Sequence, residues 1–177
     1  KFMEIVEEVG LPAGVVNFIS GSAATGEAMV TSPKTRFISF TGSKGVGLHI
    51  NEEAAKTRPG QIWIKRVVAE MGGKDAIVVA DDADLDSAAT GIVQAAFGFQ
   101  GQKCSACSRL IVDEKVHDEL VEKVVALTKK LKVGQPTEGD TNVSAVINKR
   151  SFDNTLRYID TSVAEGGVVL TGGKGDD

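Results

Sequence analysis

Cysteine and histidine are scarce in this chain, with two of each among 177 residues. Both cysteines, Cys104 and Cys107, lie in GQKCSACSR at 101–109, too close together to form the disulfide framework of a small secreted protein. A reducing compartment is therefore the simplest context. The spacing leaves three interpretations: a metal knuckle, a redox pair, or one nucleophile with a neighbouring thiol. His49 and His117 do not repeat a ligand spacing, which disfavours zinc, and a redox pair usually comes earlier in its fold, next to a helix N-terminus.

An excess of positive charge and long apolar runs are also missing. The formal net charge is −4, which argues against a nucleic-acid partner. The one dense basic run, Lys129, Lys130 and Lys132, ends a helical pattern, where it suits the helix dipole. No apolar run approaches the roughly 20 residues that a membrane helix needs, so we expect no membrane partner. The sequence has no initiator methionine and no targeting pattern, and we expect it to be an internal fragment.

Strand-like and helix-like segments alternate along the whole chain, which predicts an α/β fold with parallel strands. Predicted strands are 14–20, 35–42, 66–73, 75–80, 109–113 and 166–173. Predicted helices are 2–9, 24–31, a Gly-rich start and helix over 43–57, a helix capped by Asp84, a long helix from 113 or 114 to Gly134, and 149–165 capped by Asn148. The Gly72-Gly73 pair is the best hinge, giving domains over 1–72 and 73–177.

Two further segments have patterns that suit chemistry. FTGSKGVG at 40–47 places several glycines and Ser43 between a strand and a helix, where backbone N–H groups can approach a phosphate. A tight strand-to-helix turn without a ligand is the alternative. Glu70 ends an apolar strand before two glycines, and we expect a partly desolvated carboxylate with a pKa raised toward the range of a general base. A structural carboxylate bonded to backbone N–H groups at the hinge is the alternative there.

These segments together resemble the aldehyde dehydrogenase family over essentially the whole chain. LPAGVVNFISG, FTGSKGVG, AEMGGKDAIVV, DADLDSAA and GQKCSACSR occur in the order found in that family. GQIWIKRVVAEMGGKDAIVV and FGFQGQKCSACSR are most similar to its bacterial 1-pyrroline-5-carboxylate (glutamate-semialdehyde) dehydrogenase branch. The resemblance implies that 1–72 is the second half of a doubly wound NAD-binding domain and that 73–177 is the first part of the catalytic domain.

The resemblance also implies a reaction and a set of residue roles. The reaction is the NAD-dependent oxidation of L-glutamate 5-semialdehyde to glutamate in proline degradation, with Cys104 as nucleophile and Glu70 as general base. NAD is the cofactor, no metal is expected, and Lys103 and Ser105 contact the substrate. The residues implied in cofactor binding are Gly21, Thr41, Gly42, Ser43, Val46 and Gly47. Gly45 replaces a glutamate common in that loop, and 142–147 lacks the Gly-Pro that the family often has.

The same resemblance sets expectations for partners and for the isolated chain. The partner is a small aldehyde, the parent protein forms a homo-oligomer, and its compartment is the cytoplasm, with the mitochondrial matrix as the alternative. An oxyanion-binding Asn and two residues that hold the ribose rings fall outside residues 1–177, so the chain alone is expected to be inactive. Another aldehyde as substrate, or an inactive fragment that binds a partner, are the alternatives.

Overall fold

The computed structural model describes residues 1–175, which divide into one compact unit over Lys1–Met71 and a second from Gly72 onward. The predicted α/β class is confirmed, because helices alternate with parallel strands in each unit. The helices are α1 (Phe2–Glu8), α2 (Ala23–Thr31), α3 (Lys44–Ala55), α4 (Leu85–Phe97), α5 (His117–Thr128) and α6 (Lys149–Ala164). The strands are β1 (Phe37–Thr41), β2 (Arg66–Glu70), β3 (Asp75–Val79) and β4 (Cys107–Val112), and a short 3₁₀ helix spans Gly98–Gly101.

The first unit is built around the parallel pair of β1 and β2, with α3 as the crossover between them. The register runs from Phe37 opposite Arg66 to Thr41 opposite Glu70, so both strands end at the same edge. Helix α3 buries Ile50 and Ala54. This arrangement brings the turn after β1 beside the end of β2.

A buried lysine closes the end of α2 in this unit. Lys65 is 6% exposed, and its Nζ donates to the carbonyl oxygen of Val30 at 2.5 Å. That carbonyl lies in the last turn of α2, where carbonyl oxygens have no N–H donor within the helix. A cation is also favourable at this end of the helix dipole. Burial lowers the pKa of Lys65, and the positive charge of Arg58 acts in the same direction.

The second unit holds its core between a parallel strand pair and two helices. β3 pairs with β4, with Ile77 opposite Leu110 and a register shift between Asp75 and Ala76. The core residues are Val79, Ala89, Ile92 and Leu120. Asp84 caps α4 by accepting hydrogen bonds from the N–H groups of Asp86 and Ser87, both at 3.0 Å, as the sequence predicts.

Three segments differ from the sequence-based prediction. Residues 14–20 and 166–173 form no strand, and their apolar side chains are exposed, with Phe18 at 76% and Val168 at 81%. Helix α5 ends at Thr128, not at Gly134. It ends early because the chain after it makes a bridge between Val133 and Val143, with Asn142 Oδ1 accepting from the backbone N–H of Lys132 at 2.8 Å.

No helix among residues 1–175 combines the length and the apolar character needed to cross a bilayer. The boundary between the units falls after Met71, beside the predicted hinge. The assignment of 1–72 to a cofactor domain and of 73–177 to a catalytic domain stays a prediction.

Candidate active site

The turn from β1 into α3 is organised by the side chain and carbonyl of Ser43. Its Oγ accepts from the backbone N–H of Val46 at 3.4 Å, and its carbonyl oxygen accepts from Gly47 N at 2.9 Å. Thr41 is the last residue of β1, and Gly42 lies between it and the cap. These bonds occupy the N–H groups of Val46 and Gly47; the N–H groups before them at the start of the helix have no acceptor within it and lie at the positive end of its dipole. The turn therefore offers the kind of donor array that binds a phosphate.

Close packing leaves no room for a side chain at Gly42 and Gly47, two of the three glycines in this segment. A Cβ on Gly42 would come within 2.4 Å of the Phe40 ring, and one on Gly47 within 2.8 Å of Met71 Sδ. A Cβ on Gly45 meets nothing within 4 Å. Close packing alone is enough to require glycine at positions 42 and 47. A phosphate site and a tight turn without a ligand therefore both remain possible interpretations of this segment. Position 45 has room for a side chain.

Gly21 precedes α2 and is constrained in a similar way. A Cβ at this position would come within 2.1 Å of Thr25 Oγ1, in the first turn of the helix. Gly21 therefore allows the backbone to pass close to the start of α2. It is exposed, and the structure brings it to the same unit as the β1–α3 turn.

A largely apolar cavity of about 700 Å³ lies between α2, β1 and α3. Its apolar lining includes Val30, Phe40, Val46 and Ile50. Four polar side chains also line it, those of Glu27, Thr35, Ser39 and His49. Of the residues that line this cavity, only Val46 is predicted from the sequence to belong to a site. Val46 and Ile50 are four residues apart, and this spacing indicates that both lie on one face of α3.

Glu70 lies at the end of β2, opposite Thr41 in the strand register. Its carbonyl oxygen accepts from Gly42 N at 3.0 Å, so the backbone of Glu70 is joined to the Ser43 turn. Its side chain is exposed. The expected desolvation of this carboxylate is therefore wrong in this structure, because the residue stands at an open strand end and not inside the sheet.

Lys103, Cys104 and Ser105 share one exposed loop between the 3₁₀ helix and β4. Both thiols of the chain are free. Cys107 is the first residue of β4, half-buried, and its Sγ donates a weak hydrogen bond to the carbonyl oxygen of Arg109 at 3.3 Å. The two cysteines thus differ: the thiol of Cys104 is open to a reagent, and that of Cys107 is part of a strand.

The segment before this loop has an unusual backbone that the sequence analysis missed. Phe99 and Gln100 have φ of 55° and 56°, in the left-handed region, and Gly101 follows with 67°. Gln102 Oε1 accepts from the backbone N–H of Ile147 at 2.9 Å. With its amide oriented to satisfy both polar ends, Gln100 accepts from Ser144 N at 2.9 Å. Two glutamines therefore attach the approach to Cys104 to the chain just before α6.

Across the described residues, Glu27, His49 and Glu53 bring three metal-ligating atoms within 4.8 Å of one another. Neither cysteine belongs to this group.

The predicted site residues fall into two sets. The first unit contains Thr41, Gly42, Ser43, Val46, Gly47 and Glu70, and the second contains Lys103, Cys104 and Ser105.

Comparison with known proteins gives a consistent result along the whole chain. The sequence model of the aldehyde dehydrogenase family matches residues 1–177. The chain is 57% identical over 178 residues to a 1-pyrroline-5-carboxylate dehydrogenase of Geobacillus kaustophilus and 55% identical to that of Bacillus subtilis, covering all of this chain and 34% of each relative. It therefore spans about a third of the length of these curated relatives.

Solved structures agree with the sequence comparison. A 1-pyrroline-5-carboxylate dehydrogenase from Thermus with bound NAD superposes with a TM-score of 0.94 at 44% identity, over 99% of this chain and 34% of that one. A betaine aldehyde dehydrogenase from Staphylococcus aureus in complex with NAD+ gives 0.91 at 32% identity, over 99% and 34%.

Proposed function

The chain belongs to the aldehyde dehydrogenase family, and from that membership we propose that it supplies the nucleophile, the general base and part of the NAD site of an enzyme that oxidises L-glutamate 5-semialdehyde to glutamate. The observation that carries this proposal is the identity of 57% with a 1-pyrroline-5-carboxylate dehydrogenase along the whole chain. Cys104 is exposed, and the metal-ligating group found among residues 1–175 includes neither cysteine, which supports a nucleophile over a metal knuckle.

Cys104 begins the reaction in this proposal. Its thiolate attacks the aldehyde carbon, and the carbonyl oxygen takes up a proton to give a thiohemiacetal on Sγ. Lys103 is the adjacent residue in the same exposed loop. Ser105 and Lys103 bind the carboxylate end of the substrate through a hydroxyl and an ammonium group.

The first unit contains the features that suit NAD. Gly42, Ser43 and Gly47 hold the phosphates at the N-terminus of α3, next to Thr41, and Gly21 lies near the adenosine side. The cavity bordered by Val46 is apolar and of a size that accepts an aromatic ring. When bound, NAD supplies the hydride acceptor that converts the thiohemiacetal into a thioester.

Glu70 completes the cycle. Its carboxylate accepts a proton from water, the hydroxide attacks the thioester carbon, and the carbon–sulfur bond breaks to release glutamate and the Cys104 thiolate. The exposure of Glu70 supports this role because water reaches the carboxylate. The likeness to a betaine aldehyde dehydrogenase at a TM-score of 0.91 indicates that the fold alone does not select the aldehyde.

The remaining parts of the proposal concern the protein as a whole. Residues 1–72 belong to the NAD-binding domain and 73–177 to the catalytic domain, the assembled protein is a homo-oligomer, and its compartment is the cytoplasm. Two free thiols within 101–109 support a reducing compartment.

A chimera tests these roles directly. Residues 1–177 replace the matching segment of the Bacillus subtilis relative, which is 55% identical over 178 residues. We expect NADH formation with glutamate semialdehyde, none with Cys104→Ser, and near-normal turnover with Cys107→Ser as the matched control. Glu70→Gln lowers kcat by about 10²–10⁴-fold but keeps an initial burst of one NADH per active site, because hydride transfer precedes hydrolysis.

Two results would contradict the proposal. Turnover that survives Cys104→Ser and disappears with Cys107→Ser would reverse the assignment of the thiols. If Glu70→Gln loses the initial burst as well as steady turnover, then Glu70 acts before hydride transfer, and its role as the base of hydrolysis would be wrong.

A further inference from the structure

A group of three metal-ligating side chains lies on α2 and α3, away from the cysteine loop. His49 and Glu53 are four residues apart on α3, a spacing that stacks them on one face of the helix. Glu27 comes from α2, and its Oε2 lies 2.8 Å from His49 Nε2. All three donor atoms lie within 4.8 Å of one another. We propose that Glu27, His49 and Glu53 form a binding site for a divalent cation of the zinc class, which joins α2 to α3.

The distances suit such an ion after small side-chain rotations. Zinc–nitrogen and zinc–oxygen bonds of about 2.0–2.2 Å at tetrahedral angles place ligand atoms about 3.3 Å apart. The Glu27–His49 separation of 2.8 Å is slightly shorter, and the widest separation of the group is within 4.8 Å. The ion therefore replaces the direct hydrogen bond between Glu27 and His49 and leaves one position open to water.

The donor set selects the class of cation. An imidazole nitrogen favours zinc, cobalt and related ions over magnesium and calcium, which prefer oxygen alone. Two carboxylates with a neutral imidazole carry a formal charge of −2, part of which Lys56 and Arg58 already balance at Glu53. The side chain of Glu53 is 13% exposed, so its carboxylate is largely shielded from water.

Neighbouring cations hold Glu53 in place for this role. Lys56 Nζ and Arg58 Nη2 each lie 2.5 Å from one of its carboxylate oxygens. The same two charges repel a dication, and we therefore expect weaker binding than that of a closed structural zinc site.

Glu27 and His49 also line the apolar cavity of this unit, so an ion here lies at the polar side of that cavity.

The test is a zinc titration of the whole chain with both thiols removed by Cys104→Ser and Cys107→Ser, so that thiolates do not compete. Calorimetry should show one site, and Co²⁺ should bind the same site while a large excess of Mg²⁺ leaves it unchanged. His49→Gln and Glu27→Gln should each weaken zinc binding about tenfold or more, since losing a supporting residue alone costs 10–100-fold. His117→Gln is the matched control, because His117 Nδ1 pairs with the neighbouring Asp118 and, among residues 1–175, His117 lies outside the group.

Circular dichroism of each variant shows whether the fold is retained, and Glu27→Gln serves where His49→Gln does not fold. Zinc binding that is unchanged in both variants, that is lost with His117→Gln, or that is weaker than millimolar in the parent chain would overturn the proposal.

Discussion

Three successive residues in the left-handed region lead into the cysteine loop. Phe99 and Gln100 have φ of 55° and 56°, and a left-handed conformation costs a non-glycine residue about 1–2 kcal/mol. Hydrogen bonds from the Ser144 and Ile147 backbone to the glutamine side chains offset part of this cost. Backbone strain of this kind is characteristic of functional loops, and here it lies five residues before Cys104.

Replacing Phe99 with glycine should relieve part of this strain. The ring is 70% exposed, so its removal costs little buried area, and the net gain in unfolding free energy is about 0.5–1 kcal/mol after the extra chain entropy of glycine. Gly101→Ala is the opposing control, because φ is 67° and its Cβ would lie 3.0 Å from the carbonyl oxygen of Ala96. Urea midpoints should move up for the first variant and down for the second. A loss of stability in Phe99→Gly would mean that its ring contributes more than the strain costs.

At the scale of single residues, the sequence nominates chemical groups but does not reveal their surroundings. Cys104 stands out because its motif is local, and the structure adds that its thiol is exposed. Gln102 and Ile147 are 45 residues apart, and no local pattern announces their hydrogen bond. The exposure of Glu70 was mispredicted for a related reason: an apolar strand sequence does not reveal whether its end is covered.

At the level of elements, α2 and α3 are joined by one ion pair whose strength depends on pH. His49 Nε2 and Glu27 Oε2 are 2.8 Å apart, and the raised pKa of His49 follows first from the hydrogen bond to Glu27 and then from its charge. A group whose pKa is raised on folding stabilises the fold fully below its unfolded value. That stabilisation is lost as the pH rises through the folded value.

A double-mutant cycle with His49→Gln and Glu27→Gln measures this dependence. In buffer with a chelator, we expect a favourable coupling energy below the ordinary pKa of 6.5 and a coupling that declines toward zero above the raised value. Chemical denaturation at several pH values gives the four stabilities needed. A coupling that increases with pH would have the wrong sign and would show that the pair does not act through protonated His49.

The predicted strands show where element prediction succeeds and fails. Residues 35–42 and 66–73 were predicted as strands, and β1 and β2 form within them because each provides the other's hydrogen-bonding partner. Residues 14–20 and 166–173 also contain β-branched residues, but in the structure they pair with no strand of residues 1–175. A strand needs a neighbour for its N–H and C=O groups, and composition does not supply one.

At the scale of the whole molecule, each unit contains a sheet of only two strands among the described residues. Two strands without cover are marginal in water, and open strand edges pair readily with other chains. In the second unit, Val78 and Ile111 face each other across the β3–β4 pair and are 72% and 54% exposed. The chain also spans only 34% of the length of its relatives, whose further segments are available to cover such surfaces in those proteins.

We therefore expect the isolated chain to self-associate with increasing concentration and to form no detectable NADH with glutamate semialdehyde. Val78→Lys should reduce association, because a charge on an exposed strand face opposes edge pairing, while the neighbouring Val79, 4% exposed, keeps the core intact. Tyr158→Lys is the matched control: it changes an exposed apolar side chain, 58% accessible, on α6 and not on a sheet. Sedimentation velocity over a range of concentrations measures the self-association of the wild-type chain and of each variant. A wild-type chain that stays monomeric throughout, or a Tyr158→Lys variant as effective as Val78→Lys, would show that the open sheets do not drive association.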